Sequence, residues 1–110
     1  MHQGSEAGQQ ALSLLGMARR ARALMVGQDK VFAAMRGGNE LFIIVSADCS
    51  PNVMRKATSS NCETLVVESF SRESLGAAVG VMNAQIVALP SGSGFVKKLK
   101  ELLIGGTLNG

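Results

Sequence analysis

At 110 residues, with 46% hydrophobic and 17% charged residues, the chain is long enough for one domain with a single core and too apolar for a disordered polymer. No apolar run reaches the roughly 18 residues needed to cross a bilayer, and the first ten residues carry neither the basic stretch nor the apolar core of a signal peptide; the expectation is a cytoplasmic protein with no membrane partner. The net charge of +3 and the pI near 9.2 are mildly basic, which suits a polyanionic partner without requiring one.

Residues 1–10 read as a flexible tail, 11–104 as one domain and 105–110 as a second tail. From Ala11 to about Ala21 the chain is helical, with Leu14, Met17, Ala18 and Ala21 at helical spacing. Arg19 and Arg22 would share a face of that helix, with Arg20 to one side. Ala23–Val26 reads as a short strand and Gln28–Arg36 as a helix with Val31, Ala34 and Met35 inward, stopped by Gly37-Gly38. Leu41–Val45 is a continuous apolar, β-branched run, as expected of a central strand buried on both faces. Ser50-Pro51 marks a helix start: serine caps the free N–H groups, and proline fits the first turn, where no donor is needed. That helix runs through Arg55 and Lys56 to about Ser59. Thr64–Val67 is the next strand, Ser71 caps a helix containing Leu75, Ala78 and Val79, and Ala84–Leu89 is the last strand. Ser93 caps a final helix with Phe95, Leu99, Leu102 and Leu103 inward and Gly105-Gly106 at its end. Alternation of this kind predicts an α/β protein, a sheet with helices on both faces.

Few residues support catalysis. The one histidine, His2, lies in the tail, so no base stands near Cys49, Cys62 or a serine, and there is no GxSxG elbow. The two cysteines form neither a CxxC pair nor a dense framework, which argues against disulfides and zinc. Asp29 and Asp48 both sit at polar turns, where a carboxylate pair could do acid–base work, but turn and cap hydrogen bonding is the commoner use of such residues. Gly92-Ser93-Gly94 lacks the Lys-Ser/Thr of a phosphate loop. The expectation is a non-enzymatic protein with no catalytic residues, no metal and no cofactor.

Basic residues cluster early (Arg19, Arg20, Arg22, Lys30, Arg36) and late (Lys97, Lys98, Lys100); for the late group a solvated helix face and a binding face are equally good readings. With no Trp or Tyr and four Phe, of which Phe32, Phe42 and Phe95 read as core and Phe70 is left open, the chain lacks a stacking platform for single strands. It does offer a helix N-terminus at Gly27–Lys30. Such ends favour phosphate, Lys30 adds a cation, and Gln28 and Asp29 can hydrogen-bond base edges, a combination suited to structured RNA.

From about Ala11 to Leu103 the sequence resembles the seven-Ae ribosomal protein family, and within it the small bacterial YlxQ-type RNA-binding branch. The resemblance rests on Leu-Leu-Gly-Met-Ala-Arg-Arg-Ala at 14–21, Val-Gly at 26–27, Ala-Met-Arg-Gly-Gly at 34–38 and Ser-Ala-Asp at 46–48. It continues with Leu-Gly-Ala-Ala-Val-Gly-Val at 75–81 and Gly-Phe-Val-Lys-Lys-Leu at 94–99. The order and spacing of these pieces carry the match. The resemblance implies a three-layer α-β-α sandwich with a small mixed sheet, and binding of kink-turn or related kink-loop RNA by a ribosome-associated or accessory ribosomal protein. It also implies an RNA surface of three segments: the helix start Gly27, Gln28, Asp29 and Lys30; the turn from Ser50 to Met54; and the loop Val81, Met82 and Asn83. Arg20, Lys30 and Arg55 are the implied phosphate contacts. Ribosomal RNA is the implied partner, and a monomer is expected.

The sequence departs from the family's Gly-x-Asn-Glu-x-x-Lys signature. The same spacing here gives Asp29 for asparagine, Lys30 for glutamate and Ala33 for lysine. Asp29 lacks the amide donor, Lys30 cannot accept from a guanine N–H, and Ala33 removes a cation. In the family's Arg-Ala-Gly-Lys, Arg22 stands at the glycine and Ala23 at the lysine. A second reading follows: a divergent member that has kept the fold as a protein-interaction module, for which Met25, Met54 and Met82 would supply an adaptable apolar patch.

Overall fold

Six consecutive buried residues, Leu41–Ser46, form the strand around which the rest is built. The structure is a computed structural model; it describes residues 3–104, with side chains from residue 6 onward. The elements are α1 (Gln3–Arg20), β1 (Met25–Val26), α2 (Gln28–Arg36), β2 (Leu41–Ser46), α3 (Pro51–Thr58), β3 (Glu63–Val67), α4 (Arg72–Val79), β4 (Ile86–Pro90) and α5 (Gly94–Leu103).

The sheet is mixed, in the order β1-β4-β2-β3. β2 runs parallel to β3, with Ile43 opposite Thr64, and antiparallel to β4, with Ile43 opposite Ala88; β1 runs antiparallel to β4. Successive strand side chains point to opposite faces, so β2 feeds two cores. Phe42 and Ile44 join Leu15 of α1, Leu75 of α4 and Leu99 of α5, while Leu41, Ile43 and Val45 join Val31 and Phe32 of α2 and Val53 and Ala57 of α3. This is the expected three-layer α-β-α sandwich. Each fully buried aliphatic side chain in it contributes about 1.5–3 kcal/mol.

The first helix differs from expectation. It begins at Gln3, so it takes in most of the stretch read as a tail; Met1, His2 and residues 105–110 lie outside the described residues. Its buried stripe is Gly8, Ala11, Leu12, Leu15 and Ala18, whereas Met17 is 49% exposed. The stripe starts on a glycine lying against Ser69 and Phe70, a small-residue contact that apolar periodicity does not register, and Phe70 proves to be core. The helix also ends sooner. Ala23 N–H bonds back to the Ala18 carbonyl, and Arg22 takes a left-handed conformation with φ 63°. Arg22 therefore leaves the helix, the shared face with Arg19 does not form, and β1 shortens to two residues.

Three of the four strands run in one direction and β4 in the other. The ends of β1, β2 and β3 and the start of β4 therefore lie along one edge of the sheet, and α2, α3 and α4 set out from it.

Candidate nucleic-acid interface

Four helices after α1 begin at a turn, and three of the four starts are closed by side chains. The Ser50 hydroxyl accepts from Val53 N–H at the start of α3. Ser71 and Ser74 form a reciprocal capping box at α4, where the Asp48 carboxylate also accepts from Arg72 N–H at 2.9 Å and the Arg72 Nε donates to the Asp48 carbonyl. Ser93 caps α5.

The start of α2 is open. Gly27 holds φ 98°, ψ 154° and offers no side-chain cap. Its N–H is tied to the Ile86 carbonyl, and its own carbonyl accepts from Val31 N–H at 3.1 Å. The N–H groups of Gln28, Asp29 and Lys30 have no acceptor among the described residues. A helix N-terminus with three unmet donors attracts anions. Only glycine adopts that backbone conformation readily, so Gly27 is required by conformation and not by crowding: a Cβ there would meet nothing within 4 Å. Gln28, Asp29 and Lys30 are exposed, and Lys30 makes no ion pair among the described residues.

The loop Val81–Asn83 packs onto α4 at Gly76, where a Cβ would lie 2.8 Å from the Asn83 Cα and 2.8 Å from the Met82 carbonyl oxygen. Val81 N–H bonds the Gly76 carbonyl and Ala84 N–H the Arg72 carbonyl. So held, the loop exposes 86% of Met82 and leads directly into Gln85 and Ile86, next to Gly27. The third segment is joined through Gln85: its backbone carbonyl accepts from Ser46 N–H at 2.9 Å and its side-chain oxygen from Ser50 N–H at 2.6 Å. Sequence reasoning missed Gln85. Its signal was a lone amide at the head of an otherwise apolar strand. Ser46, beside it, is fully buried with a hydroxyl that has no partner among the described residues.

The structure thus brings Gly27–Lys30, the turn at Ser50 and the Val81–Asn83 loop to one edge. Within this set, Ser50 spends its hydroxyl on the α3 cap and Met54 is half-buried. Arg55 is exposed and turns back to Asn52 in the first turn of α3, at 2.6 Å. Lys56 lies 5.5 Å over the Phe32 ring, linking α3 to α2. Arg20 is separate. It lies beside Gly16 in a groove of about 550 Å³ between α1 and α4, lined also by Leu12, Met17 and Ala77.

The remaining groups serve structure. Asp48 serves as a cap, and no hydrogen bond joins it to Asp29 among the described residues. Burial, more than any neighbouring charge, pushes the Cys49 thiol up from its ordinary range, which suits a small packed side chain and not a nucleophile. Of the late lysines, Lys98 pairs with Glu101 and Lys100 with Glu63. Of the three methionines, Met82 is exposed, Met25 packs partly buried against the α2–α3 core and Met54 is half-buried.

The family model described as the ribosomal protein L7Ae/L30e/S12e/Gadd45 family matches residues 9–99. The chain is 32% identical over 99 residues to the RNA-binding protein YlxQ of Bacillus subtilis, covering 87% of this chain and 97% of the relative. It is 31% identical over 107 residues to the RNA-binding protein YlxQ of Enterococcus faecium, covering 96% and 100%. Among solved structures, a Bacillus halodurans protein of unknown function superposes with a TM-score of 0.68 at 32% identity, over 84% of this chain and 95% of that one. The Giardia lamblia 15.5kD RNA binding protein superposes with a TM-score of 0.67 at 15% identity, over 94% and 88%, a likeness of fold. The chain belongs to the ribosomal protein L7Ae/L30e/S12e/Gadd45 family.

Proposed function

We propose that this protein binds structured RNA of the kink-turn or kink-loop type, without catalysis, as a cytoplasmic monomer that accompanies ribosomal RNA. The observation that carries this is the open start of α2: three backbone donors and the Lys30 ammonium, unpaired and exposed, beside a loop held in place on Gly76. A sharply bent RNA presents phosphates and exposed base edges at short range. Phosphates suit the helix start, base edges suit Gln28 and Asp29, and Met82 is placed to lie against an unstacked base. The RNA-binding names of the two bacterial relatives support the same reading.

The test is a titration with a kink-turn RNA at several salt concentrations. Binding should weaken steeply with salt, and Lys30→Ala, which removes the cation without adding an acceptor, should lower affinity about tenfold and flatten the log–log salt slope by about one. No binding at low salt, or equal binding by the variant, would overturn the proposal.

A further inference from the structure

We propose that Gln85 is a specificity-determining residue of this surface, presenting an oriented amide donor to the bound RNA; the inference rests on the RNA-binding reading above. Gln85 stands where the three segments meet. Its backbone carbonyl holds Ser46, its side-chain oxygen holds Ser50, and the next residue, Ile86, holds Gly27. The bond to Ser50 settles the direction of the carboxamide. A backbone N–H can only donate, so the oxygen must face Ser50 and the amino group must point the other way. That amino group has no acceptor among the described residues. It is not sealed off either, since the one buried, unpartnered side-chain polar atom among those residues is the Ser46 hydroxyl. Gln85 therefore gives its acceptor to the fold and keeps its donor for solvent or a ligand.

An amide fixed in this way reads acceptors only. Guanine O6 or N7, adenine N7 and phosphate oxygens fit it, whereas base amino and imino groups do not. Gln28 and Asn83 also bring amides to this edge, but neither is oriented by a hydrogen bond among the described residues, whereas Gln85 is.

Two variants, tested with a kink-turn RNA, separate the roles. Gln85→Glu keeps an oxygen for Ser50 N–H and loses the donor. Gln85→Met loses both and stays neutral. The wild-type protein should bind, both variants should bind about five- to tenfold more weakly, and Gln85→Glu should melt at the wild-type temperature with the Ser50 amide resonance retained. A lost donor leaves a defect that persists at high salt, whereas repulsion between Glu and phosphate fades there. Failure of the wild-type protein to bind would remove the RNA reading and Gln85's role with it. With the wild type binding, normal affinity in a folded Gln85→Met, or a Gln85→Glu defect that vanishes at high salt, would overturn the role of Gln85 and leave the RNA reading standing.

Discussion

The starts of α2 and α3 lie along the same edge of the sheet and are built in opposite ways. At α3, Ser50 caps with its hydroxyl and Gln85 takes up the Ser50 N–H, leaving little for a ligand to satisfy. At α2, Gly27 supplies the turn and no cap, and three donors stay open. A helix start with glycine in place of a capping side chain forgoes about a few tenths of a kcal/mol of stability. Here that deficit falls on the one start flanked by Lys30 and the Met82 loop, so the position of the missing cap marks the site more sharply than the total charge does.

Substitutions can break this contrast. The largest effect is expected from Gly76→Val. Its Cβ would overlap the backbone of the Met82–Asn83 loop, costing about 1–3 kcal/mol in urea unfolding and displacing the loop, so RNA affinity should fall more than Lys30→Ala lowers it. Ser50→Ala is the sharpening case. It should cost about 1 kcal/mol in the same assay and leave RNA affinity close to wild type, because that hydroxyl is already committed to the fold. A large affinity loss from Ser50→Ala would erase the distinction between closed and open starts. The smallest effect has the opposite sign. Arg22 holds φ 63° at the end of α1, a conformation unfavourable to residues with a Cβ, so Arg22→Gly should raise stability by about 0.5–1 kcal/mol.

Much of this fold was legible in the sequence because its signals are local. The apolar run at Leu41–Val45 marked the central strand, and Ser50-Pro51, Ser71 and Ser93 marked helix starts that the structure shows capped. Signals that depend on tertiary contact were not legible. The buried face of α1 begins on Gly8, which has no hydropathy to read, and Met17 at the right spacing points outward. Gly76 could be matched to a motif, but its reason, the backbone of the Asn83 loop at contact distance, exists only in the folded chain. Gln85 was illegible for the same cause: its partners Ser46 and Ser50 are 39 and 35 residues away. Arg20 illustrates the converse. It is basic and near the open helix start in sequence, yet α1 carries it into the groove against α4.

The central claim, that the open α2 start and the loop beside it receive the RNA, is tested most directly by following backbone amide resonances during titration with a kink-turn RNA. The account predicts the largest changes at Gln28, Asp29, Lys30, Met82 and Asn83, with Asn39, Asn61 and Glu63 at the far edge unmoved. Changes centred on that far edge, or on the α1–α4 groove around Arg20, would contradict it.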